Sequence, residues 1–216
     1  MFQLTVSAAV TYVRKAIDEL TSAEQIGLLM EPDAINLHRL VEGCIVEAAV
    51  KAYMSAPLLS LNGKKATSTS DFSTKPENGV VTITMKTPVA KILSVKCSDS
   101  SVVITNLIPE DSAEGRKQLD AYVRGTYDDP KLVLLKRWDE DHMPIMRYYT
   151  VKSTTPSPVF DIEYLPYPYL EEGVVEIAPR MEYVVLNLIV ASVLDSFREF
   201  DAADRFRLKA KEYMEG

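Results

Sequence analysis

The side chains best suited to acid–base or metal chemistry are the two histidines of this chain. His142 ends the run Asp139-Glu140-Asp141-His142, which offers four oxygen or nitrogen ligands. Consecutive residues of a turn point their side chains apart, so these four cannot close one tetrahedral site. His38 lies one turn before Glu42 on a predicted helix, a pattern typical of a solvated surface. We therefore predict no metal site, no general base and no cofactor.

Other catalytic signatures are absent from the sequence. It contains no glycine-rich phosphate loop, no G-x-S-x-G elbow, no C-x-x-C pair and no H-E-x-x-H motif. Cys44 and Cys97 lie far apart among apolar residues, which is typical of buried free thiols in a reducing compartment. Asp195 is the carboxylate nearest to being isolated in an apolar segment, and we expect it to face the polar side of its helix. The chain is predicted not to be an enzyme.

The composition of the chain limits the classes of partner that it can bind. The net charge of −7 argues against general affinity for nucleic acid through a basic face. The apolar run at 189–191 is bordered by Asn187, Ser192 and Asp195, so it is too short and too interrupted to span a bilayer. The segment Met1–Leu4 lacks the basic and apolar parts of a signal peptide. We expect neither a membrane partner nor secretion.

We predict one long helix over Ala178–Met214, and this helix must position much of the chain. Pro179 suits a first helical position, and neither Pro nor Gly follows until Gly216. The first half, to Phe197, is almost wholly apolar and should be buried on several sides. The second half is charged and carries a narrower apolar stripe. We expect this half to project as an arm that meets another subunit.

Two more helices are predicted near the amino terminus. Apolar residues recur at helical spacing in Val6–Leu20, at Val10, Val13, Ile17 and Leu20. A second helix begins at Pro32 and must stop near Ala56, because Pro57 disfavours helix in the residue before it. Together with the long helix, they predict a helical bundle made of residues 1–58 and 170–216.

Residues 59–169 are predicted to form an inserted, antiparallel β-rich lobe with one short helix, at Ser112–Val123. Apolar residues alternate from Val81 to Met85, and further strands, a hairpin among them, follow as far as Tyr164. Polar residues dominate 62–78, which predicts a long surface loop that only another subunit orders. The predicted fold class is therefore α+β.

Tyrosines and one phenylalanine cluster in the sequence between 148 and 183. Tyr is enriched at protein interfaces because one end is apolar and the other hydrogen-bonds. The same residues also fit the inner face of a sheet packed on the bundle, and both interpretations stay open for different members. The cluster comprises Tyr148, Tyr149, Phe160, Tyr164, Tyr167, Tyr169 and Tyr183.

The order of these segments resembles that of adaptor or ring proteins in the neck of tailed bacteriophages, and is most similar to the ring proteins of crAss-like phages. The resemblance covers nearly the whole chain and is one of pattern, with no catalytic motif. The matching segments are Ala16–Leu20, the helix ending at Ala56-Pro57, Gly125–Val133, Pro144–Tyr149, Tyr164-Leu165-Pro166 and the closing helix from Ile177 to Phe206.

The resemblance implies a non-enzymatic ring subunit in the virion, made in the host cytoplasm. Its partners would be copies of itself, twelve to match a portal, together with the portal, neighbouring tail or ring proteins, and DNA passing through the lumen without sequence recognition. A small-molecule or peptide-binding α+β domain, or an enzyme with a hidden site, stays open as an alternative. The residues predicted to form subunit contacts are Phe206, Tyr213, Arg205, Lys209, Tyr167, Tyr169, Lys64 and Lys65.

Overall fold

The computed structural model describes residues 1–24, 34–58, 61–68, 70–135, 142–151 and 158–215, with the side chains of 21–24 and 34–36 outside the description. The chain is mixed α+β, which confirms the predicted class. It divides into two compact units: a helical unit, Met1–Asn62 with Pro168–Gly216, and a β unit, Gly63–Tyr167.

Five helices are described: α1 (Val6–Glu24), α2 (Ala34–Ser55), α3 (Ala113–Lys117), α4 (Glu182–Ser196) and α5 (Phe200–Glu215). The strands are β1 (Phe2–Thr5), β2 (Lys64–Lys65), β3 (Phe72–Glu77), β4 (Val80–Met85), β5 (Val89–Cys97), β6 (Val103–Ile104), β7 (Ile108–Pro109), β8 (Lys131–Leu134), β9 (Ile145–Tyr149), β10 (Phe160–Pro166), β11 (Leu170–Glu171) and β12 (Val174–Ile177).

The helical unit is built around α4. This helix is apolar around most of its circumference and packs against α1, α2 and α5. Its buried side chains include Val185, Ile189 and Leu194, as the sequence predicts for this segment. A short 3-10 turn, Pro179–Met181, leads into it, and the Ala178 amide ahead of that turn donates a 2.9 Å hydrogen bond to the buried Tyr53 hydroxyl. The entry to α4 is thereby tied to α2.

The prediction of one long carboxy-terminal helix is wrong. The helix breaks after Ser196, where Arg198 takes a positive φ of 64°. The Arg198 amide donates to the Asp195 carbonyl and the Glu199 amide to the Leu194 carbonyl, both at 3.0 Å. This is the Schellman pattern of a helix end, which normally has glycine at the position that Arg198 occupies. The sequence therefore lacks the usual stop signal.

The prediction that the second half projects as an arm is also wrong, because α5 packs back along α4. The middle of its apolar stripe is buried in this chain: Phe206 is 5% exposed and Ala203 and Ala210 are fully buried. The two ends of the stripe, Phe200 and Tyr213, are 59% and 54% exposed.

A three-stranded antiparallel sheet, in the order β1-β12-β11, completes the helical unit. The turn between β11 and β12 has positive φ at both Glu172 and Gly173, as a two-residue turn between antiparallel strands requires. The Thr5 hydroxyl accepts a 3.1 Å hydrogen bond from the Ala8 amide and caps α1 directly after β1. These short strands have too few residues to show an alternating pattern, and the sequence did not predict them.

The β unit contains two sheets, in the orders β2-β10-β5-β6 and β3-β4-β9-β8-β7. Buried side chains from both sheets form one apolar cluster, as in a sandwich. The alternation predicted from Val81 to Met85 is confirmed, since Val81, Ile83 and Met85 are buried and the residues between them are half-buried. Tyr148, Phe160 and Tyr164 also belong to this cluster, so these three lie on the inner faces of sheets as predicted, but their partners in the cluster come from the second sheet and not from a helix.

The prediction of a surface loop at 62–78 is wrong, because this segment contains β2 and β3. β3 pairs along its whole length with β4 through the turn Asn78-Gly79, whose φ values are 51° and 77°. Asn-Gly is a strong sign of such a hairpin, and the polar composition of the segment concealed it. Pro76 lies where its missing N–H would face outward from the edge strand, so it costs no hydrogen bond. This chain orders the segment itself.

The remaining predictions for the β unit are confirmed in part. Ser112 caps α3 through a 2.9 Å hydrogen bond from the Gly115 amide, but the helix ends at Lys117 rather than Val123. β8 and β9 pair antiparallel as predicted, and their connection at 136–141 lies outside the described residues. Pro32, predicted to begin the second helix, also lies outside them.

The packing of α5 predicts that it is required for folding. Ending the chain after Phe200 should unfold the helical unit, because loss of a buried Phe alone costs about 3–5 kcal/mol of a total stability of about 5–15 kcal/mol. Thermal melts followed by circular dichroism would measure this. A control chain that ends after Lys211 keeps Phe206 and Ala210 and should melt near the full chain. An unchanged melt for the shorter chain would contradict this packing.

Two glycines offer a matched test of backbone conformation. Gly79→Ala should destabilise the protein by about 1 kcal/mol, because φ of 77° is unfavourable for a residue with a Cβ. Gly43 lies inside α2 with no atom within 4 Å of an added Cβ. Gly43→Ala should therefore stabilise by about 0.4–1 kcal/mol. Urea unfolding of both variants measures the difference, and equal effects would argue against the hairpin turn.

Candidate interaction surfaces

The two histidines occupy separate places. His38 is exposed on α2. The His142 ring stacks on Tyr167, with 3.8 Å between ring centroids, and its carbonyl accepts a 2.9 Å hydrogen bond from the Val89 amide. Among the described residues, no three His, Cys, Asp or Glu side chains come close enough to hold a metal ion. The neighbours of His142 at 139–141 lie outside that description, so the predicted turn is untested.

Both cysteines are free. Cys44 is half-buried, and burial raises the pKa of its thiol to about 11. Cys97 is buried in the sandwich core, and burial likewise raises its pKa. A protonated thiol is a poor nucleophile, so neither side chain is prepared for covalent chemistry at neutral pH.

The four contact residues predicted on α5 have different surroundings. Phe206 belongs to the core of the helical unit, which rules out its predicted exposure. The Lys209 ammonium lies 4.7 Å from the centre of the Phe206 ring and covers it. Arg205 is exposed, and Tyr213 is 54% exposed. Three of the four side chains are therefore on the surface of α5.

Tyr213 is part of a small aromatic cluster contributed by α1, α4 and α5. Its ring stacks on Tyr183, with 5.5 Å between centroids, and Tyr183 is 52% exposed. The Tyr12 hydroxyl donates to the fully buried Asn187 side chain at 3.5 Å, and burial raises the Tyr12 pKa. Asn187 in turn donates to the Tyr183 carbonyl at 2.6 Å. Tyr12, Tyr183 and Tyr213 are far apart in the sequence, and only the packing of the three helices brings them together.

The other four predicted contact residues lie on or near strands. Lys64 and Lys65 are exposed in β2, which pairs with β10. Tyr167 is half-buried beneath His142, and Tyr169 is 46% exposed. Lys64, Lys65 and Tyr167 belong to the β unit, whereas Tyr169 and the α5 residues belong to the helical unit. No single patch within one unit contains all eight.

A groove that the sequence did not reveal lies between α2, α4 and α5. Its volume is about 480 Å³. Its lining is more apolar than polar, and it includes Arg207 of α5, which forms ion pairs with Asp195 of α4 and with Asp204. The groove exists only because α5 folds back along α4. The prediction of a single long helix therefore could not reveal it. Its lining residues are Lys51, Ser55, Pro57, Leu188, Ala191, Ser192, Asp195, Arg207, Lys211, Met214 and Glu215.

A second unpredicted feature is an exposed apolar turn that follows α3, which we term the Tyr122 knob (Leu119–Val123). Tyr122 is 99% exposed, Leu119 64% and Val123 59%. The sequence predicts these residues in a helix that extends from Ser112 to Val123. Because the helix ends at Lys117, the turn presents them to solvent instead.

The raised pKa of Cys44 generates a prediction about reactivity. At pH 8 its thiolate fraction should be roughly a hundredfold below that of an ordinary thiol, because the pKa is two units higher. Alkylation by iodoacetamide, followed by mass spectrometry, should therefore be slow and should rise steeply up to pH 11. Free cysteine in the same solution is the control. Alkylation as fast as that of free cysteine at pH 8 would contradict the assigned burial.

Comparison with protein-family models, with curated proteins and with solved structures finds no match to this chain. Within the part of the chain that the structure describes, no helix combines the length and apolar character needed to cross a membrane.

Proposed function

We propose that this chain is a structural subunit of an oligomeric ring in the neck of a tailed bacteriophage, connecting the portal to the tail and lining the DNA channel. In this proposal the helical unit is the bundle and the β unit is the inserted lobe. The support is the order of segments, from the opening helix through the β-rich middle to the closing helices, which resembles the ring proteins of crAss-like phages.

The observation that carries this proposal is the exposure of large apolar side chains in concentrated places. Single exposed apolar residues are ordinary, but contiguous ones indicate a contact surface. Three lie within five residues at the Tyr122 knob, and two stacked tyrosines, Tyr183 and Tyr213, are each half exposed. Tyrosine is a frequent centre of protein–protein contacts, so both places fit a subunit that binds neighbours.

The charge balance also fits a channel. The net charge of −7 gives the chain an overall negative potential, which repels the DNA backbone rather than holding it. A DNA channel must let the molecule slide, and a basic lining would slow it. A contact with DNA through this chain would therefore be non-specific and weak.

A second candidate function is a domain that binds a small molecule or a peptide, and the groove favours it. Its volume of about 480 Å³ is within the range of ligand pockets. Two lysines and an arginine in its lining could contact an anionic ligand. Each of these cations already has a carboxylate partner: Lys51 with Glu47, Arg207 with Asp195 and Asp204, and Lys211 with Glu215. The ring proposal is therefore preferred.

The two functions predict different behaviour of the purified chain. A ring subunit should self-associate through large surfaces, giving species that are multiples of the 24.2 kDa chain, up to twelve copies. Sedimentation velocity over a range of concentrations and electron microscopy of the largest species would measure this. A chain that stays monomeric at every concentration, and whose groove binds a peptide or an anionic small molecule, would support the second function instead.

A further inference from the structure

We propose that this chain contacts the phosphate backbone of DNA through the open half of the outer face of its five-stranded sheet. We term this surface the Arg147 face, and it consists of Ser73, Lys75, Thr82, Thr84 and Arg147. All five residues belong to the β unit. The inference rests on the proposed ring function, which supplies DNA as the polyanion, and it names the residues that touch it.

The pairing of three strands brings the side chains of this face together. Lys75 of β3 pairs with Thr82 of β4, and Thr82 pairs with Arg147 of β9. Directly paired residues share a face, with their Cβ atoms about 5 Å apart. The two cations therefore lie on either side of the Thr82 hydroxyl, with roughly 10 Å between their Cβ atoms. Ser73 and Thr84 pair in the next row and add two more hydroxyls.

Arg147 distinguishes this face from an ordinary solvated sheet surface. Its side chain is half-buried, yet its guanidinium forms no hydrogen bond and no ion pair among the described residues. A charged group withdrawn from water is normally paired, because its loss of hydration is costly. A guanidinium presents several N–H donors in one plane, an arrangement that matches the oxygen atoms of a phosphate. The geometry therefore leaves a place for an oxyanion at this side chain.

The half-burial of Arg147 follows from its place on the sheet. Its partner on the other side is Val133 of β8, which is buried. Val133 belongs to a second apolar cluster with Ile108 and Tyr149, and this cluster occupies the closed half of the same face. Arg147 thus lies at the boundary between the apolar half and the open, polar half.

The neighbouring charges leave the two cations of the face without a competing carboxylate. Lys75 is exposed and forms no ion pair among the described residues. Glu77 lies on the same face one row nearer the turn, and it too forms no ion pair there. Two other cations nearby are already engaged. They are Lys131, which pairs with Asp129, and Arg124, which donates to the Asn78 carbonyl.

The distribution of charge along the chain favours DNA contact through the β unit. Residues 63–167 contain fourteen Lys or Arg and fourteen Asp or Glu, so the whole net charge of −7 lies in the helical unit. Exposed charges separated by more than about 8 Å are largely screened at physiological salt. The Arg147 face therefore meets DNA without an excess of negative charge in its own unit. The acidic helical unit repels DNA, which keeps the contact weak enough for sliding.

The experiment measures binding of the full chain to a short, labelled DNA duplex of mixed sequence by fluorescence anisotropy. Two phosphate contacts per chain predict that affinity falls about tenfold between about 50 and 200 mM salt. Replacing both cations, Lys75→Gln with Arg147→Gln, should weaken binding at low salt by at least about tenfold. Thr82→Glu, which places a carboxylate between the cations, should weaken it to a similar extent.

A matched control removes the same two charges elsewhere. Arg39→Gln with Lys96→Gln changes two exposed cations outside the Arg147 face, so this variant has the net charge of the first double variant. It should bind DNA within about twofold of the wild-type chain. Arg147→Lys keeps the charge and should retain most of the binding. Thermal melts check that every variant folds, and Thr82→Val is the isosteric control for Thr82→Glu.

The outcomes separate this inference from the proposed function. If the chain self-associates but does not bind DNA, or if the first double variant binds DNA as well as the control, the DNA contact is wrong while the ring function survives. Binding of inorganic phosphate without DNA would assign the face to a small phosphorylated ligand instead. Loss of self-association in the first double variant, without DNA binding by the wild-type chain, would make the face a subunit contact. A chain that never self-associates, yet binds DNA through Arg147, would overturn the ring function alone.

Discussion

Burial of the apolar surface of α4 is the constraint on which the helical unit depends. A helix that is apolar around most of its circumference must be covered from several directions, and α1 and α2 cover only part of it. Much of the rest is covered by α5, which can reach it only if the chain reverses after Ser196. The left-handed conformation of Arg198 is the local cost of that reversal, and burial of Phe206 and its neighbouring alanines offsets it.

The reversal of α5 also creates the surfaces of this unit. It brings Tyr213 beside Tyr183, places Arg207 next to Asp195, and leaves a groove where α2, α4 and α5 diverge. None of these pairs is close in sequence. The stacked tyrosines are each about half exposed, and the ion pairs of Arg207 neutralise charge beside the groove.

The β unit solves a different problem, because its two sheets share one apolar layer while their outer faces and edges meet solvent. Close turns keep the strands in register, and Pro76 on the edge strand removes a donor that another strand could otherwise use. Pairing is thus discouraged at this edge. Large apolar side chains of the β unit are exposed together at the Tyr122 knob and singly at Val103, Tyr127 and Val159.

Local patterns in the sequence determined the α+β class, α1, α2 and α4, the alternating strand β4 and the hairpin of β8 with β9, because helical and strand periodicities are properties of neighbouring residues. The dipeptide Asn78-Gly79 is itself a sequence signal for a hairpin turn, but the polar residues around it led to the prediction of a loop. The break at Arg198, the burial of Phe206, the groove and the exposure of Tyr122 were decided only by the tertiary structure. Each depends on which distant surface remains uncovered, and a pattern of neighbouring residues does not contain that information.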